Sequence, residues 1–117
     1  MPVDESATRL MVFLSEDDRQ HHRGLHEILL NQARESGIVG ATVWRGIEGF
    51  GPSGRVRTSR FPDANVGLPI AVELIDSAER IENFLAVVHE LAPGSFVTSE
   101  QVHVIRGHSP IDATSPP

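Results

Sequence analysis

Gly37-Ile-Val-Gly40-Ala-Thr-Val-Trp-Arg45-Gly46-Ile-Glu-Gly49-Phe-Gly51-Pro-Ser-Gly54-Arg-Val-Arg57-Thr-Ser-Arg60 is the stretch around which the chain is arranged. Its first half has the β-branched and aromatic residues of a strand. Its second half crowds glycines, a proline and Arg55, Arg57 and Arg60 into a segment with little to bury. A strand here delivers a cationic loop. Residues 51–65 hold few large apolar groups to anchor them, so the loop is expected to be mobile and to meet a partner through its arginines.

Upstream, residues 8–14 crowd and alternate apolar side chains as a central strand does. Ser15-Glu-Asp-Asp18 supplies capping residues and acids for a following helix. Leu25, Ile28, Leu29 and Ala33 recur at spacings of three and four, which predicts a helix over 19–36 with Gly37 as its left-handed stop. A second strand covers 41–47. Downstream of the loop, residues 68–75 form a third strand with Pro69 at its start. Asp76 and Glu79 resemble a capping box. Ile81, Phe84, Leu85, Val88 and Leu91 line a second helix, closed by Pro93-Gly94. Residues 96–98 and 101–105 give a short strand piece and a last strand.

The order β-α-β, long loop, β-α-β, with right-handed crossovers, predicts an α+β, ferredoxin-like βαββαβ domain: a four-stranded antiparallel sheet with both helices on one face. One domain is expected over 8–107, between a flexible N-terminal arm (1–7) and a flexible C-terminal tail (108–117). The uncovered sheet face would inherit apolar residues such as Met11, Phe13, Val43 and Val72. Assembly that buries this face is therefore expected, as an obligate homo-oligomer.

Net charge is −6 and all ten cations are arginines. That balance argues against a nucleic-acid partner, which demands a basic face, and the absence of lysine removes Schiff-base chemistry. Zero cysteines exclude disulfides, thiol catalysis and Cys-ligated metals. No apolar run reaches 18 residues and no leader pattern precedes residue 8, so a cytoplasmic location is expected.

The glycine series 46, 49, 51 and 54 leaves a strand without opening a helix, so it is not a dinucleotide fingerprint, and a Walker loop needs lysine. It fits either a backbone that approaches an anion closely, with arginine supplying charge, or a bulged strand and hairpin arm. His22 and His26, one helical turn apart, could share a metal ion, which makes a metal-binding trimeric protein one rival reading. Glu48 and Glu73 could be paired across strands as acid and base, or be sheet-face and rim carboxylates partnered by arginine; the enzymatic rival reading uses a cleft between protomers with a carboxylate or histidine as base. No serine sits in a nucleophile elbow. An enzyme is not expected.

The run Gly40-Ala-Thr-Val-x-Arg45-Gly-Ile-x-Gly49-Phe-Gly51, placed after the first helix, resembles the PII-like proteins of the family called domain of unknown function 190. The likeness runs from about residue 8 to 106 and takes in Ser15 to Asp18, residues 68–76 and Val102-His-Val-Ile-Arg106. More distantly it resembles the PII signalling proteins, trimers whose T-loop follows the second strand and whose nucleotide sites lie between subunits. Gly49-Phe-Gly51 resembles the T-loop root, Pro93-Gly94 to Val97 the B-loop, and Ile105-Arg106 the start of the arginine-bearing segment. The chain departs from PII in having Ser95 where a B-loop lysine would stand, and no tyrosine in the loop.

The resemblance implies a homotrimeric sensor that requires no cofactor. It binds a small anionic ligand such as an adenine nucleotide and regulates a partner, in this family a membrane transporter or channel. The site is expected where Arg45, Gly49, Phe50 and Gly51 of one subunit face Gly94, Thr98 and Arg106 of its neighbour.

Overall fold

The computed structural model describes residues 3–60 and 67–106. Part of the expected loop (61–65) and the expected tail (108–117) lie outside the described residues. Eight strands and two helices follow in chain order: β1 (Val3–Ser15), β2 (Arg19–Gln20), β3 (Arg23–Gly24), α1 (Leu25–Glu35), β4 (Gly40–Arg45), β5 (Glu48–Gly49), β6 (Arg57–Thr58), β7 (Pro69–Asp76), α2 (Ala78–Leu91) and β8 (Phe96–Arg106). The main sheet has the order β4-β7-β1-β8, antiparallel throughout. α1 packs over β4 and β7, and α2 over β1 and β7. This is the ferredoxin-like arrangement that the element order implies.

One sheet face and the two helices share a single core. Leu10 and Val12 of β1 and Ile70, Val72 and Leu74 of β7 meet Leu29 and Ala33 of α1 and Ile81, Phe84 and Val88 of α2. Val43 stands opposite Val72 and packs against that core, so both valines face the helices, not the open side as expected. The alternation places Met11 and Phe13 on the open face. There Phe13 packs edge-on to Phe96, with ring centroids 5.8 Å apart. Polar contacts cross the same face. Trp44 Nε1 donates to Glu73 at 3.3 Å, Arg9 lies 3.5 Å from Glu73, and Arg9 also pairs with Glu100, a chain that crosses all four strands.

Several boundaries depart from the sequence reading. The helix expected from residue 19 begins at Leu25. Residues 19–24 instead form the small β2-β3 hairpin, whose turn places His21 and His22 at φ 52° and 69°. That removes the helical spacing between His22 and His26. Among the described residues no three potential metal-ligating side chains converge. The Ser15 to Asp18 acids therefore do not cap α1, which starts from Gly24. Likewise Ser77, not Asp76, caps α2, its hydroxyl accepting from the Arg80 N–H at 3.3 Å. Asp76 is instead buried, accepting from the Val39 N–H at 2.9 Å and the Ser77 N–H at 2.6 Å.

At its far end α1 stops as expected. Gly37 takes φ 81°, and the Gly37 and Ile38 amides return to the Arg34 and Ala33 carbonyls, satisfying two of the helix's last acceptors. β1 begins at Val3 rather than Thr8, and β8 is one strand of 11 residues rather than two pieces. Residues 3–7 pair with β8, while β7 pairs with β1 from Thr8 onward.

Candidate functional site

The loop leaves the sheet at Arg45 and returns at Gly67-Leu68, and both ends are tied to the turn at residues 15–18. Arg45 forks onto Glu16, Nε to Oε2 at 2.7 Å and Nη2 to Oε1 at 3.1 Å. The fork holds the Glu16 carboxyl below its ordinary range. The Glu16 N–H donates to Leu68 O at 2.9 Å and the Ser15 hydroxyl to Gly67 O at 3.3 Å. The turn itself is fixed by the Asp18 N–H on Ser15 O and the Ser15 N–H on the Asp18 carboxylate, at 2.9 and 2.8 Å. Acids that sequence reasoning assigned to a helix cap thus anchor the loop.

The loop has its own clasp. β5 and β6 pair Glu48 with Thr58 and Gly49 with Arg57. The largely buried Thr58 hydroxyl donates to Glu48 Oε1 at 2.8 Å, and Arg60 Nε reaches the same oxygen at 2.8 Å. Glu48 and Glu73 each have an arginine partner, the non-catalytic reading of those carboxylates.

Between the loop root and the turn after α2 lies a half-open cavity of about 810 Å³. Gly49, Phe50 and Gly51 form one wall and Gly94 and Ser95 another; Phe13, Leu14, Ile70 and Phe96 give an apolar floor, and Arg55, Arg57 and Asp18 supply charge. Ser95 Oγ is buried with no hydrogen-bond partner among the described residues. Of the residues named from sequence, the chain brings Gly49, Phe50, Gly51 and Gly94 together, with Arg55 and Arg57 from the loop. Arg45 is held by Glu16, Arg60 by Glu48, and Thr98 stands opposite Met11 on the open face. Arg106 ends β8 opposite Val3, ten residues beyond Phe96 and so roughly 33 Å away along the strand. Phe13, Phe96 and Asp18 were missed as site residues, because they read as open-face, strand and cap residues.

Residues 7–104 match the sequence profile of DUF190, a family described as an uncharacterized ACR. A UPF0166 protein of Aquifex aeolicus (strain VF5) is 36% identical over 96 residues, covering 82% of this chain and 90% of that protein. The chain belongs to the DUF190 family.

Solved structures relate this DUF190 chain to the PII-like fold. CPII from Thiomonas intermedia K12, solved bound to ADP and bicarbonate, superposes with a TM-score of 0.64 at 17% identity, covering 89% of this chain and 93% of that one. A putative PII-like signaling protein from Thermus thermophilus gives 0.58 at 19% identity, covering 88% and 91%. At these identities the likeness establishes the fold. No helix among the described residues is long and apolar enough to cross a membrane.

Proposed function

We propose that this DUF190 chain is a PII-like regulatory protein that binds a small anion of the adenine-nucleotide class and passes its presence to a partner through the loop. The observation that carries the reading is the cavity. Its aromatic and aliphatic floor suits a ring, while glycine amides at the loop root and Arg55 and Arg57 suit phosphate oxygens. Its volume of about 810 Å³ is in the range of small-molecule sites. That CPII, of the same fold, was solved with ADP supports the choice of ligand class.

The cavity is half-open, and the open face carries Phe13, Trp44 and Phe96, each at least 41% exposed. We place a neighbouring subunit there, in a homotrimer. Arg106 lies too far along β8 to reach its own chain's cavity, so any part it plays is toward a neighbour's, together with Thr98. The loop, with Arg55, Arg57 and Arg60, meets the partner, of the transporter or channel kind, at the cytoplasmic side. The protein acts by binding rather than catalysis. Native mass spectrometry of gently purified protein tests this: three chains carrying adenine nucleotide are expected, and a bound metal or organic substrate would favour the rival readings.

A further inference from the structure

We propose that Phe50 is the residue by which the cavity selects a planar ring and by which occupancy reaches the loop: it caps the ligand's ring against the Phe13–Phe96 pair. The proposal rests on the ligand reading above and names the part of the ligand that the loop itself reads.

Phe50 stands at the boundary between held and unsupported backbone. Up to Gly49 the loop root is pressed against the sheet. The Gly46 N–H donates to Pro69 O at 2.7 Å, a β-carbon at Gly46 would lie 2.8 Å and one at Gly49 3.3 Å from Pro69 Cγ, and Gly49 pairs with Arg57. One residue beyond Phe50 that support ends, since a β-carbon at Gly51 would meet nothing within 4 Å. The clasp therefore fixes where the Phe50 side chain starts, while nothing packs on the backbone just after it.

The ring has no aromatic partner of its own. Phe50 lines the cavity yet is 72% exposed. Phe13 and Phe96 pack on each other, and among the described residues no other two rings are in contact, so Phe50 belongs to the cavity wall without a ring contact to the aromatic floor. Wall and floor thus offer separate aromatic surfaces on one open volume. A flat ring is the group that covers both at once, and such stacking is indifferent to which base the ring is, because every base has a π-face. Glycine amides and arginines hold oxyanions of any kind; Phe50 is what separates a nucleotide from a bare polyphosphate. Because the contact exists only with the ring in place, it favours one position of the chain beyond Phe50, and the residue that selects the ligand also orders the loop.

The test is Phe50→Ala beside Phe50→Tyr in the full chain, read by calorimetry with ADP and with inorganic pyrophosphate. Amide hydrogen exchange at Gly54, whose N–H donates to Gly51 O at 2.9 Å, reports on the loop just past the ring. The position is exposed, so both variants keep the core. Expected is ADP binding at least about fivefold weaker in Phe50→Ala and within about twofold of wild type in Phe50→Tyr. Pyrophosphate should behave alike with all three proteins, and at equal occupancy ADP should slow Gly54 exchange in wild type and Phe50→Tyr but not in Phe50→Ala. If ADP binds wild type and Phe50→Ala equally, if Phe50→Tyr is as weak as Phe50→Ala, if pyrophosphate weakens in step with ADP, or if bound ADP leaves Gly54 exchange unchanged in wild type, the proposal is overturned while the ligand reading stands. If wild type binds no ADP, the ligand reading fails and the proposal falls with it.

Discussion

Arg45 and Glu16 meet fork to fork, at 2.7 and 3.1 Å, across 29 residues of chain, joining the end of β4 to the turn after β1. The pair sits where the loop begins, so the residue that heads the glycine-rich run serves in this chain as an anchor. Its partner's lowered pKa is a consequence with a sign that can be measured.

Glu16 in the folded chain ionises more readily than in the unfolded chain, because the Arg45 guanidinium donates to its carboxylate. Its contribution to stability is fully present above the ordinary carboxylate range and is lost as pH falls through the lowered folded value. Glu16→Gln should therefore lower the urea midpoint at pH 7, and the gap from wild type should narrow as pH falls below the ordinary carboxylate range. A gap that does not change with acidification would assign the effect to packing.

Asp76 ties the α1-β4 connection to the start of α2 through two backbone N–H groups. Asp76→Ala removes the acceptor of both part-buried N–H groups and should cost about 1–3 kcal/mol in equilibrium unfolding. Asp76→Asn, which keeps one acceptor oxygen, should lose less.

Thr58 joins the two sides of the loop at its root. Thr58→Val removes the hydroxyl that donates to Glu48 while keeping the branched shape. Exchange at Ser59, whose N–H donates to Ile47 O at 2.8 Å, should then rise toward that of the loop beyond β5.

The open face predicts assembly. Light scattering should report three chains, and Met11→Glu, which sets a charge at the centre of that face opposite Glu73, should shift the population toward monomer. A wild-type monomer at micromolar concentration would contradict the trimer.

The architecture was legible because its signals are periodic. Leu25, Leu29 and Ala33 mark one helical face, Ile81, Phe84 and Val88 another, and the strand-loop-strand order restricts the topology. The Gly40 to Gly51 run located the loop root and one wall of the cavity. What escaped notice has physical reasons. Asp17 and Asp18 have the composition of a helix cap, and nothing local says that six residues of hairpin intervene before Leu25. Phe13 read as an open-face residue awaiting a second subunit and Phe96 as part of a short strand piece, and nothing local says that the cavity lies beside them; a one-residue parity separates Phe13 from Val12. The Arg45–Glu16 pair was not legible because its partners lie 29 residues apart in sequence.

The central claim is that the cavity bounded by Gly49–Gly51, Gly94 and the loop arginines takes an adenine nucleotide, and isothermal calorimetry with ADP tests it most directly. Binding at one ADP per chain with a dissociation constant below millimolar is expected. Arg57→Gln in the cavity and Arg106→Ala, supplied by a neighbour, should each weaken it at least about tenfold, equivalent to about 1.4 kcal/mol, with the trimer intact. No ADP binding to wild type at millimolar concentration would contradict the account.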